Sequence, residues 1–69
     1  MTFGEHLKEL MSQKGMTQRQ FANKAGLKES ETSRWVNGGR YPSLRNAKKI
    51  SDILGVSIDE LVSWVENND

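Results

Sequence analysis

Apolar residues enter the chain at Phe3, Leu7, Leu10 and Met11, in steps of three and four that put them on one side of a helix. Glu5, Lys8 and Glu9 fall between them, on the other side. The run opens at Thr2 with Glu5 three residues on, the spacing of a capping box, and closes at Gly15. The same grammar recurs downstream. Thr17 with Gln20 opens a second helix that stops at Gly26, and Met16 and Phe21 have the spacing of a hydrophobic staple across its start. A third helix is expected from about Lys28 to Asn37, ended by Gly38 and Gly39 and barred from continuing by Pro42. A fourth follows Ser43 and turns Leu44, Ala47, Ile50 and Leu54 inward as far as Gly55. Ser57 with Glu60 opens a fifth, with Val56 and Leu61 as its staple, carrying Ile58, Val62, Trp64 and Val65. No strand-like alternation runs longer than a few residues. The expected class is all-α: a compact five-helix bundle forming a single domain over 1–69.

Helices two and three are separated only by Gly26, Leu27 and the start of the third at Lys28, the short glycine-containing turn of a helix-turn-helix spanning about 17–37. Ala22, four before that glycine, is small enough to sit where the two helices cross. In the third helix Thr32 and Trp35 make the inward side together with Leu27. Ser30, Ser33, Arg34 and Asn37 then point outward, with Glu29 and Glu31 on the flanks. A helix required only to fold would carry Leu, Ala, Glu and Lys there. Short hydroxyls and one Arg suit a face that meets a partner.

Charge sharpens that picture although the net value is only +1. Residues 14–49 hold nine Lys or Arg against Glu29 and Glu31, a balance of +7, whereas residues 50–69 hold five acids and no base. A polyanion would therefore be met by the middle of the chain. With 69 residues, a chain of this size buries about 60% of the surface its unfolded form exposes. There is no Cys to add a disulfide or a Cys-based zinc site. The opening MTFGEHLKEL has no signal-peptide character and no long apolar run follows, so a cytoplasmic chain with no membrane partner is expected. His6 and Glu9 stand three apart without further ligands and read as ordinary helix surface. No nucleophile–base set or phosphate-loop glycine pattern is present, so no enzyme, cofactor, metal or small-molecule ligand is expected.

The stretch TQRQFANKAGLKESETSRWVNGGRYPSLRNAKKISDILGVSIDEL resembles the helix-turn-helix domain of the phage repressor and Cro family, and the likeness covers nearly the whole chain. It rests on Thr17-Gln18, Phe21-Ala22, Gly26, Ser33-Arg34-Trp35, Asn37-Gly38, Pro42-Ser43 and LGVSIDEL. The resemblance implies a bundle that inserts its third helix into the DNA major groove, and a Gln18 that touches phosphate while propping a recognition side chain. Three departures stand out. Lys28 holds the place where the family usually caps helix three with Ser or Thr, Thr32 that of an inward Ile or Val, and Met11 and Val36 that of a common Arg–Glu pair. The last change replaces an ion pair by an apolar contact between helices one and three.

The family reading sorts the outward residues. Arg34 is expected to fork onto guanine O6 and N7, and Ser30 and Ser33 to touch bases or phosphates. Glu29 either accepts from cytosine N4 or orients Arg34 or Lys28. Arg19, Lys28, Asn37, Arg40 and Tyr41 are expected at phosphates along with Gln18. Helix five has more apolar residues than one core face needs, so a homodimer through Val62, Trp64 and Val65 on a near-palindromic operator is expected, unless Trp64 folds back on its own bundle. The expected function is a sequence-specific double-stranded DNA-binding transcriptional regulator. A protein-interaction module, antitoxin-like, with Glu29 and Glu31 meeting a protein partner, is the competing reading.

Overall fold

The computed structural model describes residues 1–66 and contains five helices: α1 Phe3–Gln13, α2 Gln18–Ala25, α3 Glu29–Val36, α4 Leu44–Leu54 and α5 Ile58–Glu66. Each boundary has a local cause. The Thr2 and Thr17 hydroxyls accept from the amides of Glu5 and Gln20, while the Glu5 and Gln20 side chains accept from the Thr2 and Thr17 amides, completing both capping boxes. The box expected at Ser57 is half made. Its hydroxyl accepts from the Glu60 amide at 3.0 Å, but the exposed Glu60 carboxylate makes no bond back. Ser43 caps α4 through the Asn46 amide at 3.2 Å. Lys28 offers α3 no side-chain cap, and the acids Glu29 and Glu31 in its first turn supply favourable charge near its free amides.

The five helices close around Phe3, Leu7, Met11, Phe21, Trp35, Val36, Ile50, Leu54 and Leu61. Met11 and Val36 both lie in this cluster, where α1 packs on α3. Ala22 is 1% exposed where α2 meets α3. Thr32 is fully buried, and its hydroxyl finds a partner one turn back, donating to the Lys28 carbonyl at 3.3 Å.

Two glycines carry the geometry of the recognition segment. Gly26 sits at φ 69°, the left-handed conformation that ends α2, while the Leu27 amide bonds to the Ala22 carbonyl at 2.8 Å. Gly4 lies on the backbone end of α3: a Cβ at this position would stand 2.3 Å from the Val36 carbonyl oxygen and 2.6 Å from that of Trp35. The first turn of α1 therefore buttresses the last turn of α3 directly.

Helix α5 returns across α1 and α4 with Leu61 buried. Trp64 turns toward its own bundle. Its rings lie parallel to the His6 imidazole at 5.1 Å and tilted against Phe3 at 6.1 Å. Val62 and Val65 point outward, 46% and 37% exposed. Among the described residues no helix is long and apolar enough to cross a membrane.

Candidate nucleic-acid interface

The short turn at Gly26 sets α3 with one side locked into the core by Thr32, Trp35 and Val36 and the opposite side open. Ser30, Arg34 and Asn37 are exposed, and Ser33 is half-buried beneath Asn37, whose amide nitrogen donates to the Ser33 hydroxyl at 3.1 Å. This pair ties the polar end of α3 to its C-cap.

A cleft runs between α3 and the start of α4, walled by Lys28, Ser30, Glu31, Arg34, Arg40, Ser43 and Asn46. The Lys28, Ser30, Arg34 and Arg40 side chains make no hydrogen bond or ion pair among the described residues. Three cations and a hydroxyl thus face solvent around one helix with their donors free. Tyr41 stands at the end of the cleft, half exposed, its ring edge-on to Phe3 at 5.6 Å.

The two carboxylates of α3 are both engaged. Glu31, half-buried, accepts from the Asn46 side-chain amide of α4 at 3.3 Å. Glu29 pairs with Arg19 of α2, with Nε to Oε1 at 3.5 Å. Glu29 is expected from the sequence either to accept from cytosine N4 or to orient Arg34 or Lys28, and within the chain it meets neither of those cations. The tight turn brings the starts of α2 and α3 side by side and sets Arg19 against Glu29 instead. Gln18, half-buried, lines the same recess with Thr17, Arg19 and Glu29. Asn46 carried no functional expectation from the sequence. Its only signal was its third place after the capping Ser43, which faces it toward α3.

Lys48 bridges to Asp52 at 2.7 Å on the exposed side of α4. A separate apolar groove is lined by Phe3, Tyr41, Leu44, Ala47, Val62 and Val65. Leu44 is 81% exposed, so α4 and α5 leave an apolar strip uncovered.

Residues 7–61 match the family model described as Helix-turn-helix. In sequence the chain is 38% identical over 66 residues to the HTH-type transcriptional activator BcrR of Enterococcus faecalis, covering 96% of this chain but only 32% of that activator's length. In structure it resembles the restriction-modification controller protein C.AhdI from Aeromonas hydrophila, with a TM-score of 0.79, 36% identity and coverage of 86% of this chain and 89% of that one. It also resembles SinR, the master regulator for biofilm formation solved in complex with DNA, with a TM-score of 0.83, 29% identity and coverage of 88% and 98%. The five-helix order, the locked inner side of α3 and a match over most of the chain agree: this protein belongs to the helix-turn-helix family.

Proposed function

We propose that this chain is a cytoplasmic, sequence-specific double-stranded DNA-binding transcriptional regulator rather than an enzyme. The observation that carries the reading is the unpartnered set Lys28, Ser30, Arg34 and Arg40 gathered around the open side of a core-locked α3. The likeness to SinR, a protein solved with DNA, supports it. In this reading α3 enters the major groove, where Gln18, Glu29, Ser30, Ser33 and Arg34 meet base edges. Gln18, Arg19, Lys28, Asn37, Arg40 and Tyr41 hold phosphates on either side.

The regulator acts as a homodimer on a near-palindromic operator. Val62 and Val65 remain in the pairing surface, joined by Leu44, because these apolar side chains are left open along α4 and α5. Trp64 contributes by holding α5 against α1 through His6 and Phe3. A two-fold pairing places the two recognition helices about 34 Å apart, one turn of DNA.

Selection of bound duplexes from a random pool, followed by a salt titration on the winner, tests the function. Enrichment of two related half-sites and a steep loss of affinity with salt are expected, because neutralised phosphates release counterions. Failure to enrich any duplex, or salt-independent binding, refutes it. Sedimentation of Leu44→Glu and Val62→Glu, each expected to shift dimer toward monomer, tests the pairing surface.

A further inference from the structure

The start of α3 carries a carboxylate toward a surface that the preceding reading gives to a polyanion, and this inference rests on that reading. Glu29 is the first residue of α3, its side chain about half exposed, and it accepts no hydrogen bond among the described residues. Its one partner is Arg19, the second residue of α2, whose Nε stands 3.5 Å from Oε1. Glu29 Oε2 and both terminal guanidinium nitrogens of Arg19 make no hydrogen bond among the described residues. We infer that Arg19 and Glu29 form one base-reading unit, in which Glu29 selects cytosine through its N4 amino group and Arg19 is the positioning residue that holds the carboxylate and offsets its charge.

The chemistry narrows the target. An ionised carboxylate only accepts, and the major groove offers two amino donors, cytosine N4 and adenine N6. Guanine and thymine present acceptors at the corresponding edge and repel it. Adenine places its N7 acceptor beside N6, so the second carboxylate oxygen meets a lone pair there, whereas cytosine has no acceptor on its major-groove edge. Next to phosphates a lone carboxylate would weaken every complex alike. With Arg19 attached the unit is neutral, and the free guanidinium nitrogens extend toward the phosphate that the start of α2 approaches. The carboxylate then costs little on the right base and repels on the wrong ones.

The substitution Glu29→Gln converts the pure acceptor into an acceptor and donor side by side, the pattern that matches adenine N6 and N7. Duplex selection is run with the full chain as wild type, Glu29→Gln, Glu29→Ala, Arg19→Ala and Arg19→Lys, with circular dichroism melts showing that each is folded. In wild type one position per half-site should favour cytosine by roughly tenfold over guanine or thymine. Glu29→Gln should turn that same position to adenine and leave the others unchanged. Glu29→Ala should flatten it. Arg19→Ala should flatten it as well while lowering affinity for all duplexes, and Arg19→Lys should restore affinity more than preference, since a compact ammonium does not reach the carboxylate and a phosphate through separate nitrogens. The same preferred base at every position in Glu29→Gln and wild type overturns the assignment of Glu29. An intact cytosine preference in a folded Arg19→Ala overturns the role of Arg19. Absence of any enriched duplex for wild type instead overturns the DNA reading beneath both.

Discussion

Gly4→Ala should destabilise the protein although it replaces glycine by the best helix former. The propensity gain is at most about 1 kcal/mol, and less in a first turn. Against it stands a backbone collision. The added Cβ would lie 2.3 Å from the Val36 oxygen and 2.6 Å from the Trp35 oxygen, where a relaxed carbon–oxygen contact is about 3.3 Å. Helix α1 must therefore retreat from α3 by close to an ångström. Phe3, Leu7 and Met11, all 2% exposed or less, move with it. A gap of about 0.5–1 Å forfeits a quarter to a half of each affected dispersion contact, and forced overpacking of this kind costs about 1–3 kcal/mol. The collision wins by roughly 1–2 kcal/mol, which in a domain of this size lowers Tm by about 4–16 °C. Thermal melts followed at 222 nm measure it, with Ser12→Ala on the exposed side of α1 as a control for propensity alone. An unchanged or raised Tm in Gly4→Ala would show that α1 and α3 are not held as close as described.

Thr32→Val should be neutral or mildly stabilising in urea denaturation, because the Lys28 carbonyl keeps the amides of Glu31 and Thr32 at 3.1 and 3.2 Å after the hydroxyl is lost; a loss above about 1 kcal/mol denies that account. Glu5 is held below its usual carboxylate range by the Thr2 backbone amide first and the Thr2 hydroxyl second. Its contribution is therefore full above the unfolded value and lost as pH falls through the folded one, so melts of Glu5→Gln, which keeps the acceptor, should lose less stability on acidification than wild type. Arg34→Ala should cost about 1–3 kcal/mol on the selected duplex and relax preference at one base pair, as read by competition binding. Arg40→Ala should weaken all duplexes similarly and flatten the salt slope by about one unit in the same titrations; an unchanged slope removes Arg40 from the interface.

What the sequence made legible was whatever depends on neighbours along the chain. Thr2 with Glu5 and Thr17 with Gln20 bond over three residues, so their identity and spacing suffice to place two helix starts. The inward side of α3 followed from Thr32 and Trp35 by periodicity. The pairs Arg19–Glu29 and Asn46–Glu31 join residues ten and fifteen positions apart, and which cation or amide reaches each acid depends on interhelical angles that periodicity does not encode. Trp64 shows the same limit. Spacing put it on an edge of the apolar stripe of α5, but the flat ring of His6 on another helix gave it a stacking partner within its own bundle. Gly4 had no signal at all, since the need for a missing side chain arises only where two backbones meet.

Tyr41 lines both the polar cleft beside α3 and the apolar groove between α4 and α5. One aromatic ring is thus a common wall of the surface assigned to DNA and the surface assigned to a second copy. Linkage makes any coupling between the two proposed events reciprocal: whatever factor pairing adds to operator affinity, the operator returns to pairing. Under the proposed pairing, occupancy of the operator climbs with the square of monomer concentration while dimers are scarce. On that reading a gene under such control holds its basal output through early accumulation of the protein and changes it over a narrower range of dose than a monomeric binder would allow.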